Sequence, residues 1–107
     1  MSTSLTAVFI TTNTMESATS LASGLVQNEL AACVNIIPGV TSIYKWEGKI
    51  NQDQELILMV KTRQELVDEV TKWVKSNHPY DCPEVISLPI LAGNHAYLDF
   101  VLNSTRH

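Results

Sequence analysis

Leu5 to Thr11 reads Leu-Thr-Ala-Val-Phe-Ile-Thr, an unbroken run of apolar and β-branched residues. It is too short for a buried helix and rich in strand formers, so it predicts a first strand. From residue 14 the period changes. Ala18, Leu21, Ala22, Leu25, Val26 and Leu30 recur at helical spacing, which puts one apolar face on a helix over residues 14–30. Asn13-Thr14-Met15-Glu16 at its start has the form of a capping box, and Gly24 within it costs about 1 kcal/mol against Ala. Residues 33–37 predict a second strand, bulged at Pro38-Gly39 because proline removes a ladder donor and glycine permits a kink. From Val40 the pattern alternates, with Val40, Ser42, Tyr44, Trp46 and Ile50 on one face and Thr41, Lys45, Glu47 and Lys49 on the other. Asn51-Gln52-Asp53-Gln54 has turn chemistry, and Glu55–Thr62 returns as a strand, so the segment predicts a long antiparallel hairpin. Thr62-Arg63-Gln64-Glu65 repeats the capping-box form ahead of a second helical stripe, Leu66, Val67, Val70, Trp73 and Val74, which ends at His78-Pro79. Val85–Leu91 predicts a further strand, its Pro89 marking an edge or an end. A short last helix then carries Tyr97, Leu98, Phe100 and Val101. The order is β-α-β-β-α-β plus a helical tail. The class is α+β: a ferredoxin-like antiparallel sheet with a long β-hairpin and a C-terminal helix, one domain over residues 1–107.

Two helices cover one face of such a sheet, and the other should then be polar. Here it is not: Leu56, Leu58 and Val60 alternate with Ile57 and Met59, and Val8 and Ile10 alternate with Ala7 and Phe9. Extended at about 3.4 Å per residue, residues 40–50 reach about 37 Å, against a radius of gyration near 13 Å for a chain of this length. The uncovered face and the projecting hairpin edges predict that copies of the chain cover one another in a closed ring.

Charge narrows the partners. Seven Lys and Arg against eleven Asp and Glu leave a net charge of −4, which excludes a dedicated nucleic-acid binder because phosphate contacts need a basic face. No apolar run reaches the length of a membrane span, so membrane insertion is not expected. The first Lys or Arg is Lys45, which argues against a charged secretory leader or an Arg-rich transit peptide. Cys33 and Cys82 form no C-x-x-C pair, and a reducing cytoplasm fits them best. Cys33, within Ala-Ala-Cys-Val, reads as a small buried hydrophobe.

The densest polar chemistry is His78-Pro79-Tyr80-Asp81-Cys82-Pro83-Glu84, where two prolines restrict a loop bearing an imidazole, a phenol, two carboxylates and a thiol. His78 with Cys82 and Asp81 is the candidate metal set, since copper and zinc accept imidazole and thiolate. Tyr44, Lys45, Trp46, Lys49, Tyr80 and Glu84 are the candidate residues for a small ligand in a cleft between subunits, aromatics being enriched at interfaces. No glycine-rich phosphate loop, nucleophile elbow or H-E-x-x-H motif is present, so a binding protein rather than an enzyme is expected.

Two stretches carry a family resemblance. Ala31-Ala32-Cys33-Val34-Asn35-Ile36-Ile37-Pro38-Gly39-Val40-Thr41-Ser42-Ile43-Tyr44, followed by Trp46-Glu47-Gly48-Lys49, resembles the CutA family of divalent-cation tolerance proteins. His78-Pro79-Tyr80, Pro83-Glu84, Leu88-Pro89-Ile90, Gly93-Asn94 and Tyr97-Leu98 resemble the same family in order and spacing. The resemblance implies a homotrimer with a PII-like assembly and a role in tolerance of copper and other divalent ions. It implies no required cofactor, with Cu(II) or a similar cation as the ion bound. Among the metal positions of copper-binding members, Thr11 and Asn77 stand where a cysteine and a histidine are found, and His78 matches.

Overall fold

The structure is a computed structural model that describes residues 3–107. The strands are β1 (Leu5–Thr12), β2 (Cys33–Trp46), β3 (Lys49–Arg63) and β4 (Val85–Pro89), and the helices are α1 (Met15–Gln27), α2 (Val67–Asn77) and α3 (His95–Ser104). They form one four-stranded sheet in the order β2-β3-β1-β4, with every neighbouring pair antiparallel. This is the expected α+β arrangement, hairpin and C-terminal helix included.

Local chemistry sets the boundaries, and in several places it differs from the expected form. The cap of α1 is Thr14 rather than Asn13: the Thr14 hydroxyl accepts from the Ser17 amide at 3.0 Å. The helix ends at Gln27, three residues short of the expected limit, where Glu29 takes a left-handed φ of 57° and turns the buried Leu30 back into the core. Thr62 caps nothing. Its hydroxyl donates to the Leu30 carbonyl at 2.6 Å, and a 3-10 turn, Gln64–Leu66, leads into α2 without a side-chain cap.

The largest difference lies in the hairpin. The bulge falls between Ile37 and Val40, as Pro38-Gly39 predicts. The turn, however, is Glu47-Gly48 and not residues 51–54. Trp46 pairs with Lys49, and both turn residues have positive φ, 50° and 78°, as a two-residue type I′ connection requires. Asn51 to Gln54 are therefore strand residues. Cross-strand partners share a face, so Lys49, Asn51, Asp53 and Glu55 stand on the side of Tyr44 and Trp46, whereas Ile50 lies with Lys45 on the other.

The helices α1 and α2 cover one face of the sheet, where Val8, Ile10, Leu56, Leu58 and Val60 are buried with Leu21, Leu25, Val70 and Val74. On the opposite face α3 covers one end, burying Val101 with Leu5 and Ala32. Beyond α3 that face carries exposed apolar side chains on β4: Ile86 is 52% exposed and Leu88 48%. The molecule measures 44 × 28 × 23 Å, its long dimension matching the hairpin.

Candidate functional site

Past the bulge, the alternation of β2 presents Ser42, Tyr44 and Trp46 on the face opposite α1 and α2. Asp53 and Glu55 arrive on the same face from β3, opposite Ser42 and Val40. The loop after α2 folds toward them. Tyr80 donates from its hydroxyl to Glu55 Oε2 at 2.6 Å, and the Tyr44 hydroxyl donates to Asp53, its diagonal neighbour across the hairpin. These residues, together with Thr11, Asp81, Cys82 and Glu84, line a cleft of about 750 Å³.

The electrostatics follow from the carboxylates. The Tyr44 phenol is held above its ordinary pKa first by its hydrogen bond to Asp53, with the charge of Glu55 adding to it. The Tyr80 phenol is raised further, first by burial and then by its bond to Glu55. Both stay neutral and act as donors, each occupying one acceptor position of a carboxylate and leaving others open.

His78 has a different place. Its Nδ1 accepts from the Tyr80 amide at 3.0 Å, which leaves Nε2 to donate to the Thr11 carbonyl at 2.7 Å. The ring clamps the loop to the end of β1 and has no free lone pair.

The expected metal set is thus divided. Asp81 and Cys82 line the cleft, while His78 spends both ring nitrogens on backbone groups. Among the described residues no three His, Cys, Asp or Glu side chains converge as a metal would require, so one copy in this conformation does not fit a tightly held ion. Of the expected ligand set, Tyr44, Trp46, Tyr80 and Glu84 do converge on the cleft. Lys45 and Lys49 do not line it, Lys45 because it points to the opposite face. Asp53 and Glu55 were not expected. The signal for them was the Glu47-Gly48 pair, which closes the hairpin early and brings β3 carboxylates opposite β2 aromatics. Cys33 is half-buried and Cys82 exposed, both as free thiols.

Comparison with known proteins agrees with this architecture. Residues 6–104 match the model of the CutA1 divalent ion tolerance protein family. The chain is 50% identical over 100 residues to the chloroplastic CutA protein of Arabidopsis thaliana, covering 94% of this chain but 55% of the plant protein. It is 48% identical over 98 residues to the divalent-cation tolerance protein CutA of Thermus thermophilus, covering 92% and 95% of the two chains. The crystal structure of CutA1 from Oryza sativa superposes with a TM-score of 0.95 at 47% identity, covering 99% of this chain and 97% of that one. The chain therefore spans little more than half of its plant relative and nearly all of its bacterial one, and it belongs to the CutA1 divalent ion tolerance protein family.

Proposed function

We propose that this protein is a single-domain subunit of a homotrimer with a PII-like assembly, that it takes part in the response to divalent metal ions, and that it acts by binding rather than by catalysis. The observation that carries the reading is that Asp81, Cys82 and Glu84 line the same cleft as the hairpin's Asp53 and Glu55, although within one copy no three of them meet at one point. Cu(II) or a similar cation meets a thiol and carboxylates there, and a neighbouring copy completes the donor set. His78 joins only when its ring leaves Thr11 and Tyr80. Names of relatives include chloroplastic and periplasmic proteins; the cytoplasmic placement of this chain rests on its free thiols alone.

Calorimetric titration with Cu(II) tests the reading. Cys82→Ala and Asp81→Asn are each expected to weaken binding at least about tenfold, or 1.4 kcal/mol, while His78→Ala changes it less. Cu(II) affinity that is indifferent to Cys82 and Asp81 overturns the proposal at this cleft.

A second reading is favoured by the aromatic wall. Trp46 is 61% exposed and Tyr44 stands beside it, and exposed aromatics over a concave surface suit a small organic ligand. On this reading the protein is a PII-like signalling module that holds such a ligand.

A further inference from the structure

We infer that α3 and the two residues after it form a strap that docks on the sheet and releases from it as one unit, and that Arg63, at the end of β3, is the catch that holds the strap closed.

The sequence of α3 leaves its own C-terminus open. Its last turn, Val101-Leu102-Asn103-Ser104, holds no basic residue, and Thr105 after it is extended, at φ −118°, rather than left-handed. The helix therefore ends with neither a cation of its own nor the backbone cap that a glycine gives, and its last four carbonyls lack partners within it. Arg63 supplies the donors from another element. Its Nη2 donates to the Leu102 carbonyl at 2.6 Å and its Nε to the Thr105 hydroxyl at 3.0 Å, and that hydroxyl donates in turn to the Val101 carbonyl at 2.8 Å. The remaining arm, Nη1, reaches the exposed Glu65 carboxylate at 3.3 Å. The Arg63 side chain is 12% exposed, Thr105 is buried, and all of these partners belong to the same chain.

Beyond Thr105 the chain passes round the end of the sheet. The Arg106 amide donates to the Glu29 carbonyl at 3.0 Å, in the turn that follows α1, and the Arg106 guanidinium meets Glu69 of α2 at 2.9 Å. The strap thus runs from the face that α3 covers to the face of α1 and α2. Its apolar hold within the chain is small: Val101 packs with Leu5 and Ala32 in a cluster separate from the main core. A unit with little buried apolar area and a few polar ties opens below the free energy of global unfolding. Among those ties the shielded, charge-assisted bonds of Arg63 outweigh the exposed pair of Arg106 and Glu69. Release uncovers Leu5, which lies on the same face as Leu88, so the catch sets how far that apolar face extends.

Hydrogen exchange of the intact protein, read by mass spectrometry, tests the strap. Arg63→Met is expected to speed amide exchange over residues 98–106 at least about tenfold, while exchange in the hairpin, residues 40–55, stays as it was. Arg63→Lys keeps the charge and loses the planar fork, so it should restore only part of the protection. Thr105→Val removes the relaying hydroxyl and should speed exchange in the same segment. Arg106→Ala, which keeps the backbone bond to Glu29, should change it little. Two results overturn the inference. If Arg63→Met leaves residues 98–106 unchanged, α3 is held by something other than Arg63. If exchange rises alike in α3 and the hairpin, α3 does not move as a separate unit. Should Arg63→Met fail to fold, Arg63→Lys and Thr105→Val decide in the same way: faster exchange confined to residues 98–106 supports the strap, and unchanged or uniform exchange overturns it.

Discussion

Gly24 is held to glycine by a neighbouring ring rather than by its backbone. A Cβ built there lies 2.4 Å from both Cη2 and Cζ2 of Trp73, so the indole of α2 occupies the space a side chain on α1 would need. Helix propensity alone favours Gly24→Ala by about 1 kcal/mol. Overpacking costs about 1–3 kcal/mol, and the net expectation is destabilisation. Urea unfolding at fixed protein concentration checks it, and a Gly24→Ala/Trp73→Leu pair should recover part of the loss; a Gly24→Ala single variant that gains stability refutes the packing argument. His78 makes a related point. Its replacement by Ala removes the hydrogen bonds to the Thr11 carbonyl and the Tyr80 amide, which at about 0.5–1.5 kcal/mol each predicts a measurable loss of stability and faster proteolysis of the loop over residues 78–84. The chemistry of that loop was legible from composition. What could not be read was that the imidazole would be spent on the carbonyl of a strand 67 positions earlier in the chain, because that contact depends on where the chain returns and leaves no local pattern.

Elements were legible wherever a period persisted over several residues. The core faces of β1, β3, α1 and α2 follow directly from the spacing of Val8, Ile10, Leu21, Leu25, Leu58, Val60, Val70 and Val74. Boundaries were read less well because two signals competed. Thr62 has the form of a cap, yet it lies in β3 beside a buried carbonyl that needs a donor, and satisfying Leu30 outweighs capping an exposed helix end. In the hairpin, Asn51-Gln52-Asp53-Gln54 has turn composition, but a polar strand beyond the core looks the same, and only backbone sterics single out Glu47-Gly48. That turn yields its own prediction. Gly48 has φ 78° and nothing within 4 Å of a Cβ, so Gly48→Ala is opposed by backbone strain alone, about 1–2 kcal/mol. Glu47, at φ 50°, is strained already, and Glu47→Asn should stabilise the hairpin, since Asn tolerates that region. Opposite shifts in thermal midpoint for the two variants are expected; a neutral Gly48→Ala contradicts the turn geometry.

At the scale of the molecule, the three tyrosines give a pH dependence with a definite sign. Tyr44, Tyr80 and Tyr97 are all raised above the ordinary value of 10, Tyr44 first by its bond to Asp53, Tyr80 and Tyr97 first by burial, Tyr97 then by Cys33. Above pH 10 the unfolded chain releases phenolic protons that the folded chain retains, so the unfolded state binds fewer protons and stability falls as pH rises. Below that pH these groups contribute no slope. Phenolate absorbance should lag in the folded protein and rise abruptly when alkali unfolds it; ordinary titration of all three in the folded state refutes the account. The apolar face gives the second whole-molecule prediction. Ile86 and Leu88 lie half-exposed in the single copy, where substitution of a surface residue usually changes stability by no more than about 0.5 kcal/mol. In a homotrimer the same positions face another copy, and Leu88→Lys would have to desolvate an ammonium there, at a cost of several kcal/mol. The two cases separate in sedimentation. The unaltered protein is expected near three times 11.9 kDa, about 36 kDa, and Leu88→Lys is expected to move it toward a single copy with a thermal midpoint that depends on concentration. A Leu88→Lys variant with unchanged mass and midpoint would show that the uncovered face is not where the copies meet.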